Sequence, residues 1–228
     1  MASRPASTPL RRRFMPAALL LLLAVVFQSQ QAMPAAAADI TASNLLASLT
    51  VRAEHTTGYD RTLFPHWVDA DGDSCNTREE VLIAESTTTP STGAGCQVNS
   101  GTWNSWYDGA TWTLPGDVDI DHVVALKEAW DSGAHSWTTA KRTRYANDLD
   151  YAWSLDAVTD NVNQSKSDRD PAQWLPPLTS VRCAYAIHWT AVKYRWNLAL
   201  DTAEKNALAA ILTGSCGSTS IPTPPLGT

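Results

Sequence analysis

A chain of 228 residues that is 44% hydrophobic and 18% charged is too apolar to stay disordered, and its length suits one domain with a real core. A formal net charge of −6 excludes the strongly basic proteins that hold nucleic acid by overall charge. Four cysteines without a Cys-x-x-Cys pair argue against a thiolate metal site.

Residues 1–38 read as a secretory signal. Arg11, Arg12 and Arg13 precede an uncharged apolar run from Phe14 to Phe27, which leads into the small residues Ala35 to Ala38. The run falls short of the roughly 20 residues that span a bilayer, so cleavage after Ala38 and no stable membrane association are expected. The pattern fits both the general and the twin-arginine export routes. Losing the leader removes four arginines and takes the net charge to about −10. Residues 39–120 hold 12 acidic against 3 basic residues, whereas residues 141–195 hold 8 basic against 6 acidic, so any phosphate-binding face is expected from the second half. In an oxidising compartment the four cysteines should form disulfides. Of the three pairings, Cys75 with Cys96 and Cys183 with Cys216 each close a loop within one half of the chain.

Along residues 39–217, which we take as one domain, a short helix is expected over 41–53, with Leu45, Leu46 and Leu49 on one side. Thr77-Arg-Glu-Glu80 starts a second helix with a capping box. Trp103, Trp106 and Trp112 surround Asp108-Gly109, a dipeptide suited to a two-residue turn, and predict a β-hairpin. Val118 to Val124 is a β-branched strand, Leu126 to Tyr145 is mainly helical, and Leu155 to Val158 is a second short strand entering a polar helix from Asp160 to Lys166. Two helices follow at 180–197 and 202–212. The proline- and threonine-rich residues 218–228 read as a flexible tail. The fold class is α+β, mainly helical.

The chemistry concentrates in two segments. In Asp119-Ile-Asp-His-Val-Val124 a histidine beside a carboxylate ends an apolar strand; His122 can serve as general base, and Asp121 can ligate a hard divalent cation. Asp119 shares the strand face of Asp121, where it could assist the metal or simply pair with a loop. In Asn163-Gln-Ser-Lys-Ser-Asp168, Asn163 offers a neutral oxygen to the same metal, and Lys166 lies one turn along the helix, where it could meet a phosphate. Taken singly, these would be a strand-end pair, a helix cap and a surface charge.

Together with Tyr59-Asp-Arg-x-Leu-Phe64, Asp71-Gly-Asp-Ser-Cys-Asn-Thr-Arg-Glu-Glu-Val-Leu82 and Trp174-Leu-Pro-Pro177, these segments resemble the secreted bacterial HNH endonuclease family related to the nuclease part of GmrSD-type restriction enzymes. The resemblance implies a ββα-metal (HNH) core with the β-hairpin added to it. It also implies Asp121 and Asn163 as metal ligands, His122 as general base and Arg78 as a contact to the scissile phosphate. The function implied is phosphodiester hydrolysis in DNA, or RNA, with Mg²⁺ and with Mn²⁺ or Ca²⁺ as alternatives, by a secreted monomer. The family places an asparagine nine residues before the helix asparagine; here Ser154 stands there, a shorter group for orienting His122 or the metal loop.

Two rival readings stay open. Ten tryptophans on an acidic exported chain are compatible with a glycan-binding module. Asp69-Ala-Asp-Gly-Asp-Ser-Cys75, with Glu80 eleven residues after Asp69, is compatible with a calcium-stabilised interaction domain or a disulfide-anchored acidic turn.

Overall fold

The computed structural model describes residues 38–228, so the leader expected over 1–38 lies, but for Ala38, outside the described residues. These form one unit of helices around several two-stranded sheets. Strand β1 (Asp39–Thr41) runs into helix α1 (Ala42–Ser48), whose first turn is capped by the Thr41 hydroxyl and whose Ala42, Leu45 and Leu46 enter the core. Helix α2 (Thr77–Glu85) is capped by Asn76, which accepts from the Arg78 and Glu79 amides. The capping box expected at Thr77 does not form, because the Thr77 hydroxyl bonds to Val68 O and Asn147 Oδ1.

Strands β2 (Ser91–Thr92) and β3 (Val98–Ser100) pair, as do β4 (Trp103–Asn104) and β5 (Thr111–Trp112). The β4–β5 connection runs through Ser105–Ala110, with Gly109 at φ 79°, where a side chain would be strained. It is longer than the expected two-residue turn, and its length carries Tyr107 into the interior, where it is fully buried.

Strand β6 (Val118–His122) pairs antiparallel with β7 (Leu155–Thr159), Ile120 opposite Ala157 and His122 opposite Leu155. Between them lie α3 (Leu126–Asp131), a 3-10 turn at Ala134–Ser136 and α4 (Thr139–Ala146). The helix expected across this stretch breaks at Gly133, φ 144°, where a Cβ would stand 2.4 Å from the Arg52 guanidinium. Helix α5 (Asp160–Lys166) leaves β7 and packs on both strands. One face of the pair buries Val118, Ile120, Leu155 and Ala157 with Val81, Leu82, Val98 and Trp103. The larger core gathers α1, α3 and α4 with α6 (Arg182–Arg195) and α7 (Thr202–Ile211).

Helix α8 (Gly214–Gly217) leads to β8 (Ser220–Pro222), which pairs with β1. The segment expected to be a flexible tail is therefore held. Ile221 is buried, Arg195 donates to Pro225 O at 2.8 Å, and Gly227 N donates to Arg195 O at 2.7 Å. Proline takes away donors but leaves carbonyls, and Arg195 bonds one of them. The cysteines pair as Cys75–Cys96 and Cys183–Cys216. No helix among the described residues is long and apolar enough to cross a membrane.

Candidate active site

Strand alternation puts Asp119 and Asp121 on the β6 face that meets α5, and turns Ile120 and His122 to the other. Since α5 starts directly after β7, its inward side chains Asn163 and Lys166 reach the same strand. The Asn163 amide nitrogen donates to Asp119 Oδ2 at 3.2 Å. A carboxylate only accepts, so this bond turns the amide oxygen of Asn163 away and leaves it free. At the end of β6 a cleft of about 500 Å³ is lined by Asp121, His122 and Asn163, with Tyr59, Arg61 and Lys127 on its walls.

The His122 ring is almost wholly buried beside Trp67, 5.6 Å between centroids, and Tyr145. Trp67 holds a left-handed backbone, φ 58°, uncommon for so bulky a residue. His122 Nε2 lies 2.9 Å from Ala146 O. A carbonyl can only accept, so Nε2 carries the proton and Nδ1 the lone pair. Among the described residues Nδ1 has no hydrogen-bond partner. Burial pushes His122 down to about 3, helped by the charges of Arg61 and Lys166 and opposed by Ala146 O, so the ring is neutral at physiological pH.

Asp121 is 5% exposed, and both its oxygens are oriented. Oδ1 accepts from Lys166 Nζ at 2.8 Å, and Oδ2 from the Tyr107 hydroxyl at 2.7 Å. Burial raises this carboxyl, while Lys166 and Tyr107 counter it. Burial also lifts the Tyr107 phenol well above its ordinary range, which keeps it a donor. The donor set open to a metal is one carboxylate with spare lone pairs and one amide oxygen, all hard oxygen, which fits a divalent cation such as Mg²⁺.

Three residues singled out in the sequence stand elsewhere. Lys166 is fully buried; it bonds Asp121 and, at 2.9 Å, His122 O, so it cannot meet a phosphate and instead holds the end of β6 in place. Arg78 donates to Pro115 O and Glu79 and does not line the cleft. The Ser154 hydroxyl donates to Asp148 Oδ2 at 2.7 Å, in a buried network with Arg195 and Trp196, and touches neither His122 nor Asp121. Tyr107, Trp67 and the Ala146 carbonyl, which do orient the site, carry no local signal. Each is delivered by a loop or helix end far along the chain.

The rival readings fare less well. None of the ten tryptophans is largely exposed, and Trp103, Trp130, Trp189 and Trp196 are buried in the core. The Asp69, Asp71 and Asp73 oxygens lie within 4.8 Å of one another, yet they accept backbone amides from Gly72, Ser74, Asp73 and Cys75. Those bonds account for an acidic turn anchored by the Cys75–Cys96 bridge.

Comparison with known proteins agrees with the geometry. Residues 70–211 match the family described as GmrSD restriction endonucleases, C-terminal domain, and the chain belongs to that family. Its function is thus of nuclease type and its substrate a nucleic acid. A protein of the fungus Arthroderma benhamiae, described as an uncharacterized secreted protein, is 51% identical over 173 residues, 75% of this chain and 83% of its own length. This relative is fungal, and the bacterial origin that the resemblance implied has no support from it. With two disulfides in the fold, this relative marks the protein as secreted. No solved structure matches.

Proposed function

We propose that the protein is a secreted, metal-dependent endonuclease of the HNH (ββα-metal) type that hydrolyses phosphodiester bonds in DNA. One observation carries this reading. A histidine whose tautomer is fixed by a carbonyl, leaving the lone pair on Nδ1, lines one cleft with a buried carboxylate and an oriented amide.

His122 Nδ1 takes a proton from water, and the hydroxide oxygen attacks phosphorus. The P–O3′ bond then breaks, leaving a 5′-phosphate and a 3′-oxyanion that takes a proton from solvent to become the 3′-hydroxyl, while His122 returns its proton to solvent. A divalent cation held by Asp121 and the Asn163 amide oxygen would supply charge compensation for the phosphate and the leaving oxygen. Lys166 and Tyr107 hold Asp121 in place and oppose the effect of its burial, and Asp119 keeps the Asn163 oxygen outward. The ββα order of β6, β7 and α5 supports this reading, because it brings Asp119, Asp121, Asn163 and Lys166 together along one strand.

The test is incubation of purified protein with supercoiled plasmid and with single-stranded RNA, in Mg²⁺, Mn²⁺, Ca²⁺ or EDTA. Nicking of the plasmid with Mg²⁺ or Mn²⁺, lost in EDTA, is the expected result. Cleavage of RNA alone would move the substrate to RNA, and an intact plasmid and RNA under every condition would refute the reading.

A further inference from the structure

We propose that Arg61 is the phosphate-holding residue of this cleft, its guanidinium gripping a non-bridging oxygen of the phosphodiester presented to His122. The inference rests on the nuclease reading and adds to it a substrate contact from a different part of the chain. Tyr59-Asp60-Arg61-Thr62-Leu63-Phe64 is built as a mount. Asp60 Oδ1 accepts both the Thr62 amide, at 2.8 Å, and the Thr62 hydroxyl, at 2.7 Å, which caps the 3-10 turn Arg61–Leu63. Phe64, fully buried, anchors the far end, and Arg142 Nε holds Leu63 O at 2.9 Å. Tyr59 packs against Phe64 and Trp130 and sets its hydroxyl beside the Arg61 side chain.

The mounted guanidinium has no carboxylate partner. Among the described residues Arg61 forms no ion pair, although it is exposed and lines the cleft with His122. The nearby cations are engaged: Lys166 with Asp121 and Lys127 with Asp131. An exposed guanidinium with no carboxylate partner, in the cleft that His122 also lines, matches the fork geometry of a phosphate. An acidic chain cannot collect a polyanion by its overall charge, so attraction has to be local to the cleft.

Arg61→Ala and Arg61→Lys would be compared with wild type on plasmid with Mg²⁺, beside Lys205→Ala on α7 as a charge-matched control outside the cleft. In a His122→Ala background that leaves the substrate uncut, binding of a labelled 20-base-pair duplex would be followed against salt. Arg61→Ala should reduce kcat/KM about 100-fold and lower the slope of log Kd against log salt by about one phosphate contact. Arg61→Lys should keep the slope and lose about 10-fold in kcat/KM, as a point charge without the fork. Circular dichroism checks each fold, and Arg61→Lys carries the test if the alanine variant does not fold. Arg61 variants that cleave within twofold of wild type, with an unchanged slope, overturn the proposal and leave the nuclease reading standing. A wild-type protein that cleaves nothing removes both.

Discussion

Two lysines, Lys166 and Lys193, are fully buried, and they do different work. Lys193 sits where α3, α6 and α7 meet and is enclosed by Glu128, Glu204, the Ser132 hydroxyl and Ala199 O. Burial lowers its affinity for a proton, but Glu204 and Glu128 override that and raise it. Trp189 Nε1 also bonds Glu204, and no group of this cluster lines the cleft at the end of β6. Lys166 has one carboxylate, Asp121, and that carboxylate lines a cleft. A buried lysine by itself is no sign of function. What distinguishes the two is whether the partner carboxylate can still meet something from solvent.

Removing each lysine should give the largest effects and should separate the two cases. Lys193→Met leaves buried charge on Glu128 and Glu204 and should lower unfolding free energy by about 3–5 kcal/mol. The folded fraction should cleave at the wild-type specific rate. Lys166→Met should also destabilise, and in addition reduce the specific rate of folded protein by about 10- to 100-fold, because Asp121 and the end of β6 lose their tether. Urea titration with activity measured at low denaturant reads both quantities. Equal loss of specific activity in the two variants would break the comparison.

A half-buried carboxylate without a lysine makes a third case. Glu85 accepts the Ala157 amide at 2.8 Å, and burial pushes its carboxyl up to about 7 from an ordinary value near 4.5. Between those values the folded chain holds a proton that the unfolded chain has released, so stability falls as pH rises through this window. Glu85→Gln should stabilise by on the order of 2 kcal/mol at pH 8 and by nothing near pH 4. An equal gain at both pH values would point to packing rather than charge. Ser154→Asn should have the smallest effect on cleavage. The larger amide is overpacked against Asp148, lowering stability by about 1–3 kcal/mol with no gain in cleavage at limiting Mg²⁺. Higher activity at limiting Mg²⁺ would return Ser154 to the site.

The strand–strand–helix unit was legible because its signals are local. A β-branched run gives β6, and the polar helix from Asp160 to Lys166 keeps the bounds its sequence suggests. Pairing of the cysteines by proximity also corresponds to the fold. The fates of Lys166 and Ser154 were not legible. A side chain four carbons long at a helix end can reach solvent or core, and the choice is made by Asp121 and Tyr107, 45 and 59 positions away. Ser154 was assigned from its spacing to Asn163, whereas its hydroxyl answers to Asp148, a residue no pattern connects with it. Residues 218–228 read as loose because composition registers missing donors and not the Arg195 that bonds their carbonyls.

The central claim is that the cleft at the end of β6 is an active site with His122 as its base, and His122→Ala tests it most directly. The ring is flanked by Trp67 and Tyr145, so the variant should be somewhat less stable yet remain folded, which circular dichroism and a melting curve would verify. With Mg²⁺ at saturation and below the variant's melting range, plasmid cleavage should fall by at least about 100-fold relative to wild type. A folded His122→Ala protein that nicks plasmid at the wild-type rate would contradict the account.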